Sequence, residues 1–121
     1  IALADPGGVL HLGVDIEQHK PDLDAEVMLD AVCTDQERAS VHRAPDRLAA
    51  FYQRWVGKEA VLKAIGIGVA EHLRSIGISP GGDGRLAIAC AVPDWNGFQA
   101  MALPAPPGYA AALAWRTKES T

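Results

Sequence analysis

The sequence lacks several features that would assign it to whole classes of proteins. It contains no run of eighteen apolar residues and no stretch that resembles a signal peptide, so neither membrane insertion nor export is predicted. Lys and Arg number 11 against 15 Asp and Glu, and they form no cluster that would follow a phosphate backbone. Nucleic-acid binding is therefore disfavoured.

Cysteine is also scarce. Cys33 and Cys90 lie far apart, without the CxxC or histidine spacing of a metal site. Free thiols in a reducing compartment are favoured over a disulfide, and the predicted location is cytoplasmic.

The residues that are present suit one globular domain over 1–121. Of the 121 residues 49% are hydrophobic, and a chain of this length can bury about two thirds of its unfolded surface. Because the chain begins at Ile1 with an apolar, strand-like stretch, we expect a processed or truncated piece of something longer.

The hydrophobic patterns predict an α+β fold, an antiparallel sheet with helices packed on one face. An opening β-hairpin precedes the helices, and a meander of strands follows them. Thr34 and Glu37 form a capping box that begins one helix, and Gly66 ends the longest. The Asn96-Gly97 pair predicts a tight hairpin. The predicted strands cover 1–4, 9–17, 73–79, 85–92, 98–103 and 109–116, and the predicted helices 24–33, 35–43 and 46–65.

Two of these elements carry charged side chains in unusual places. On the long helix Phe51, Trp55, Glu59 and Lys63 follow each other at four-residue intervals, so the aromatic stripe that faces the interior also carries a carboxylate and an ammonium. On the strand 9–17 the alternation puts Asp15 and Glu17 on one face, roughly 7 Å apart, together with His11 and Gly13. The residues that point the other way are Leu10, Leu12, Val14 and Ile16.

Carboxylates without His or Cys partners suit a hard cation, Mg²⁺ before Zn²⁺. Phosphate oxygens of a substrate would complete the coordination shell of such a cation. Lys63 and Lys58 are placed to neutralise the charge of those phosphates. The alternative is structural: Glu59 and Lys63 would be an ordinary i, i+4 pair, and Asp15 and Glu17 a solvated strand face. The spacing alone leaves both interpretations open.

A family resemblance favours the first interpretation. The stretch Gly13-Val14-Asp15-Ile16-Glu17 resembles the G-[VI]-D-[IV]-E motif of the 4′-phosphopantetheinyl transferases. The stretch from Trp55 to Gly68 resembles their W-x-x-K-E-A-x-x-K-A-x-G-x-G motif at every fixed position. Trp55 and the spacing after Asp15 are closer to the Sfp-type enzymes than to the trimeric holo-acyl-carrier-protein synthases.

The resemblance implies a specific activity. The family transfers the 4′-phosphopantetheine arm of coenzyme A to a carrier-protein serine and releases adenosine 3′,5′-bisphosphate. Asp15, Glu17 and Glu59 would then hold Mg²⁺, and Glu59 would accept the serine proton. Lys63 would bind the pyrophosphate, and Lys58 would bind phosphate or form a salt bridge. The carrier protein of fatty acid, polyketide or peptide synthesis would be the partner.

One departure qualifies the resemblance. Sfp-type enzymes consist of two similar halves, and this sequence resembles the second half alone. The missing wall of the site would come from another copy, in a homo-oligomer such as a trimer or dimer, or from an absent first half. The alternatives are a non-catalytic half-domain that binds carrier protein or coenzyme A, and a different Mg²⁺-dependent phosphate or nucleotide enzyme.

Overall fold

The computed structural model describes residues 9–20, 25–67, 72–95 and 97–117. The first predicted strand, residues 1–4, and with it the predicted opening hairpin, lies outside them. The predicted α+β fold is confirmed. The described elements are β1 (Val9–Gln18), α1 (Ala25–Val32), α2 (Asp35–Arg43), α3 (Arg47–Ile65), β2 (Ile76–Pro80), β3 (Arg85–Cys90), β4 (Gln99–Leu103) and β5 (Tyr109–Thr117), with short 3₁₀ turns at Leu73–Ser75 and Pro93–Trp95.

The five strands form one antiparallel sheet in the order β1-β5-β4-β3-β2. Helix α3 packs against β1, β5, β4 and β2, whereas α1 and α2 pack at its side. The core lies between α3 and the sheet, and its members include Tyr52, Val56, Leu62, Ile78 and Ala112. The long helix is therefore the element that positions the rest of the molecule.

The helix ends follow the capping signals in the sequence. The Thr34 hydroxyl accepts a hydrogen bond from the Glu37 amide, and a Glu37 carboxylate oxygen accepts one from the Thr34 amide, which completes the predicted capping box. Asp46 caps the start of α3 by accepting from the Ala49 amide. Gly66 ends α3 at φ 90°, a left-handed angle that glycine adopts without strain.

One predicted strand boundary and one predicted turn differ from the structure. The strand predicted over 73–79 starts only at Ile76, because the carbonyl of Leu73 turns towards the ammonium of Lys58 instead of a neighbouring strand. The tight hairpin predicted at Asn96-Gly97 is replaced by a longer connection from β3 to β4 that contains a 3₁₀ turn. Asn96 itself lies outside the described residues. Strands β3 and β4 consequently pair at only two positions.

Both cysteines are free thiols, as predicted: Cys33 is buried and Cys90 is half-buried. Within the described parts of the chain, none of the helices combines the length and the apolar character that a membrane crossing requires. The cytoplasmic location and the extent of the domain, 1–121, stay predictions.

Strand β1 turns its polar face towards α3, and Gly13 allows the close approach. A Cβ atom at Gly13 would lie 2.1 Å from the carbonyl oxygen of Ala60 and 2.6 Å from the amide nitrogen of Ala64. Both atoms belong to the backbone of α3, so neither can move aside without displacing the helix. The glycine of the first motif is therefore required by packing.

We predict that Gly13→Ala lowers the free energy of unfolding by at least about 1–3 kcal/mol, the usual range for overpacking a core. Gly82→Ala is the matched control, since a Cβ there would meet nothing within 4 Å. The measurement is urea unfolding followed by circular dichroism. Equal midpoints for Gly13→Ala and Gly82→Ala would contradict the packing role of Gly13.

Candidate active site

The packing of β1 against α3 brings three carboxylates together. Asp15 and Glu17 come from β1 and Glu59 from α3, and one oxygen from each lies within 4.8 Å of the others. Asp15 is only 4% exposed, and the other two are half-buried. These are the three residues that the sequence predicted as metal ligands. The geometry places them in one cluster, while their role as ligands stays a prediction.

Two neighbouring side chains fix the carboxylates. Lys63, one turn beyond Glu59, donates a hydrogen bond of 2.6 Å to Oδ1 of Asp15. The indole nitrogen of Trp55, one turn before Glu59, donates one of 2.5 Å to Oε1 of Glu59. Lys63 therefore forms its ion pair with Asp15 of β1 and not with Glu59 of its own helix. The simple i, i+4 pair and the solvated strand face are both excluded by these contacts and by the burial of Asp15.

The remaining oxygen of Asp15, Oδ2, is buried and has no hydrogen-bond partner among the protein atoms. A buried carboxylate oxygen without a partner is costly unless it binds a proton or a cation. Three carboxylates with one oxygen unsatisfied form a donor set that suits a hard divalent cation such as Mg²⁺. The residues present therefore fit the metal that the sequence predicted.

The electrostatics of the cluster favour binding of positive charge. Burial, followed by the neighbouring Asp15 carboxyl group, raises the pKa of Glu59 to about 8, although the Trp55 indole acts in the opposite direction. Burial also raises the pKa of Glu17, and the charge of Asp15 adds to this effect. The hydrogen bond to Asp15 raises the pKa of Lys63. Near neutral pH the cluster thus retains a proton, which a divalent cation would displace.

Lys58 lies elsewhere, and the structure contradicts its predicted contact with coenzyme A. Its side chain is 0% exposed. The ammonium lies 2.5 Å from Oε1 of Glu37. It also donates to three backbone carbonyls, those of Val32, Leu73 and Ile76, at 2.8, 2.8 and 2.6 Å. Because these acceptors use all of its protons, Lys58 has none to offer a phosphate. The salt-bridge alternative is the correct one.

Glu37 and Arg54 belong to the same network of buried polar contacts as Lys58. The sequence predicted the capping role of Glu37 but neither the buried ion pair of Glu37 nor the burial of Arg54. The second oxygen of Glu37, Oε2, accepts a hydrogen bond from the buried Ile78 amide. Arg54 is buried one turn before Lys58 and donates to the Ser40 hydroxyl and the Ala50 carbonyl. Burial lowers the pKa of both Arg54 and Lys58, whereas the charge of Glu37 acts to raise each. The apolar residues that flank these cations along α3 were the available signal for their burial.

Comparison with known proteins identifies the family. A family model described as "4′-phosphopantetheinyl transferase superfamily" matches residues 11–114. The chain belongs to this superfamily, as its two motifs predicted.

Curated relatives match over shorter stretches. A 51-residue stretch is 45% identical to a holo-[acyl-carrier-protein] synthase of Alkalilimnicola ehrlichii and covers 41% of this chain and 40% of that protein. A 72-residue stretch is 39% identical to fatty acid synthase subunit alpha of Schizosaccharomyces pombe and covers 56% of this chain and 4% of that protein. The chain thus spans well under two thirds of the length of either relative.

Solved structures share the fold. The holo-[acyl-carrier-protein] synthase from Neisseria meningitidis superposes with a TM-score of 0.75 at 18% identity, covering 92% of this chain and 99% of that one. A structure described as a Chronobacterium ammoniagenes ACPS–CoA complex gives 0.63 at 21% identity, covering 90% and 98%. Both neighbours are matched over almost their whole length, and at these identities they show a shared fold.

We predict that the wild-type protein loses stability relative to Glu59→Gln as the pH rises from about 6 to about 9 in EDTA. Between the ordinary pKa of 4.5 and the folded value of about 8, the folded state binds more protons than the unfolded state. The free energy of unfolding therefore falls with increasing pH. Mg²⁺ should reverse the loss in the wild type, most strongly at the alkaline end, and should stabilise Glu59→Gln much less.

Thermal unfolding midpoints measured across the pH series test this prediction. Asp35→Asn removes a carboxylate that is almost fully exposed at the start of α2 and serves as the control. It should follow the wild type at every pH. Parallel curves for wild type and Glu59→Gln, with and without Mg²⁺, would show that Glu59 is an ordinary carboxylate.

Proposed function

We propose that the protein is a Mg²⁺-dependent enzyme that transfers 4′-phosphopantetheine from coenzyme A to a serine of an acyl or peptidyl carrier protein. The products are holo-carrier protein and adenosine 3′,5′-bisphosphate. A bond forms between the serine oxygen and the phosphorus that carries the pantetheine arm, and the bond from that phosphorus to the nucleotide phosphate breaks. The observation that carries this proposal is the cluster of Asp15, Glu17 and Glu59, in which Asp15 is buried and has an unpartnered carboxylate oxygen, and which lies on the two motifs that resemble those of the superfamily.

Each member of the cluster has a role in this reaction. Asp15, Glu17 and Glu59 would hold Mg²⁺ against the pyrophosphate of coenzyme A. When bound, the cation supplies Lewis-acid stabilisation of charge on the phosphates. Lys63 has a side chain that is 48% exposed, so its ammonium can contact phosphate oxygens in addition to Asp15. It would neutralise charge on the departing nucleotide phosphate.

Glu59 would accept the serine proton, directly or through a water molecule. The burial that raises its pKa makes the deprotonated carboxylate a stronger base than an exposed one. The Trp55 indole holds one of its oxygens and orients the other. This hydrogen bond gives the aromatic residue of the second motif a positioning role.

The names of the relatives support the choice of substrates. One is a holo-[acyl-carrier-protein] synthase, and one solved structure of the same fold is described as a complex with CoA. Coenzyme A and a carrier protein are therefore the substrates to test first.

We further propose that a second copy of the chain covers the outer face of the sheet. Directly paired residues of antiparallel strands share a face, so the register places one set of apolar side chains on the side away from α3. One of them, Ala111, is 8% exposed, and none belongs to the core cluster between α3 and the sheet or packs against it. Ile16 is 56% and Val14 is 39% exposed. The outer apolar face consists of Leu12, Val14, Ile16, Met101, Leu103, Ala111, Leu113 and Trp115.

Exposed apolar side chains that continue a half-buried apolar sheet face, here Val14 and Ile16, are typical of an interface between subunits. The partner copy would also supply the wall of the site that this chain does not contain. The outer apolar face is therefore the proposed contact surface of the predicted homo-oligomer.

The transfer assay uses a fluorescent coenzyme A analogue, an apo carrier protein and Mg²⁺. We predict that the wild type labels the carrier, and that Asp15→Ala, Glu59→Gln and Lys63→Met each lower the rate by at least about 10²-fold. Asp83→Ala, in an exposed turn, should retain full activity. Chelation by EDTA should abolish labelling by the wild type.

Absence of labelling with any apo carrier, from an oligomer at micromolar concentration with Mg²⁺, would refute the enzymatic proposal. Carrier binding that is indifferent to Mg²⁺ and coenzyme A would then support the non-catalytic half-domain.

Sedimentation velocity tests the oligomer. We predict that the wild type sediments as a dimer or larger species and that Val14→Asp or Ile16→Asp shifts it to monomer, because a charge cannot be buried unpaired in an apolar interface. Val27→Asp is the matched control, since Val27 is a valine on α1 that is 60% exposed, close to the 56% of Ile16. A monomeric wild type, or an oligomer unchanged by both sheet variants, would contradict the proposed surface.

A further inference from the structure

Three aromatic rings form one stack between the end of β1 and the first half of α3. His19 and Tyr52 have ring centroids 4.9 Å apart and an angle of 20° between the ring planes. Tyr52 and Trp55 have centroids 5.5 Å apart, at 10°. Separations of about 4.5–7 Å are those that stacked aromatic pairs favour. Tyr52 is the central ring, and it is only 1% exposed.

One end of the stack is attached to the strand that carries Glu17. His19 directly follows β1, and its amide donates a hydrogen bond of 2.7 Å to the carbonyl of Gly108. The amide of Lys20 donates one of 3.2 Å to the hydroxyl of Tyr52. Glu17 precedes His19 by two residues. Tyr52 therefore fixes the end of β1, and with it Glu17, relative to α3.

The other end of the stack contains the indole that binds Glu59. Trp55 is half-buried, and its Nε1 donates a hydrogen bond of 2.5 Å to Oε1 of Glu59. Tyr52 covers one face of this indole, and Phe51 contacts it edge-on, with centroids 5.4 Å apart at 64°. An indole has a single N–H donor, so a rotation of the ring would withdraw that donor from the carboxylate. The ring of Tyr52 thus determines where the Glu59 carboxylate is held.

We propose that Tyr52, stacked between His19 and Trp55, is a positioning residue for the carboxylate cluster. It acts on Glu59 through the indole and on Glu17 through the end of β1. Removal of groups that orient metal ligands typically lowers metal affinity or activity by about 10- to 100-fold. The effect on catalysis rests on the proposed function, whereas the effect on the indole is independent of any reaction.

Two pairs of variants separate the rings from their polar groups. Tyr52→Leu removes the central ring, whereas Tyr52→Phe retains it and loses only the hydroxyl. His19→Ala removes the terminal ring, whereas His19→Phe retains a ring that stacks. Ile78→Ala is the control for a general loss of packing, because it leaves a cavity in the core. Ile78 is 1% exposed and lies on β2, at the opposite edge of the sheet from β1.

The indole N–H of Trp55 reports the positioning directly. In ¹H–¹⁵N NMR spectra recorded in EDTA, the variant Trp55→Phe identifies its cross-peak, which a short hydrogen bond to a carboxylate should shift downfield. Tyr52→Leu and His19→Ala should shift this cross-peak upfield or broaden it. Tyr52→Phe, His19→Phe and Ile78→Ala should leave it in place. If Tyr52→Leu does not fold, the pair of variants at His19, which is the partly exposed end of the stack, supplies the test.

Metal binding and kinetics should follow the same pattern. In titration calorimetry, Tyr52→Leu should weaken the binding of Mg²⁺ alone by about tenfold. In the transfer assay it should lower kcat by about tenfold and change the KM for coenzyme A less, because Glu59 is displaced while Lys63 still binds phosphate. Tyr52→Phe and Ile78→Ala should retain the Mg²⁺ affinity and the kcat of the wild type.

The outcomes separate this proposal from the proposed function. A shifted cross-peak and weaker Mg²⁺ binding in Tyr52→Leu, in a protein that transfers nothing, would support the positioning role and refute the enzyme. Transfer by the wild type, with an unchanged cross-peak in Tyr52→Leu and His19→Ala, would refute the positioning role and retain the enzyme. Equal changes in Ile78→Ala, or in His19→Phe and His19→Ala, would also refute the positioning role of the stack.

Discussion

The buried ion pair between Lys58 and Glu37 is the interaction on which the rest of the structure depends. Through it, α3 binds the start of α2, the end of α1, the 3₁₀ turn and the beginning of β2. Removing one partner of such a pair typically destabilises a protein by 3–5 kcal/mol, because the other charge stays buried and unpaired. The pair also fixes the rotation of α3 about its axis. Glu59, the next residue, is turned by about 100° and consequently faces β1.

A second constraint acts from the opposite side of α3. The missing side chain at Gly13 lets β1 approach the helix backbone, and two residues later the same face of the strand carries Asp15. Close approach excludes water, so the carboxylates interact in a medium of lower dielectric than the surface. Desolvation by burial, with the charge of Asp15 as a smaller cause, raises the pKa of Glu59 and of Glu17. The packing that stabilises the fold thus also sets the electrostatics of the carboxylate cluster.

The parts of the molecule that local sequence signals control were predictable. Helix α2 begins at its capping box and α3 ends at Gly66, as the residues indicated. The three carboxylates were predicted as a group because strand and helix periodicities are local. The role of Lys58 was not predictable in this way, since its acceptors lie 15, 18 and 26 residues away. The same distant contacts explain why the predicted strand at 73–79 starts late: the carbonyl of Leu73 is engaged by Lys58.

The two motifs therefore contain residues of two kinds that a pattern match cannot separate. Gly13 and Lys58 serve packing and burial, whereas Asp15, Glu59 and Lys63 form the polar cluster. Strand β1 shows the same division across its faces: the side that carries charges is turned inwards, and the apolar side, with Val14 and Ile16, is exposed. A sheet normally does the reverse. On the helix side, the close approach at Gly13 and the hydrogen bond from Lys63 to Asp15 accommodate this inversion.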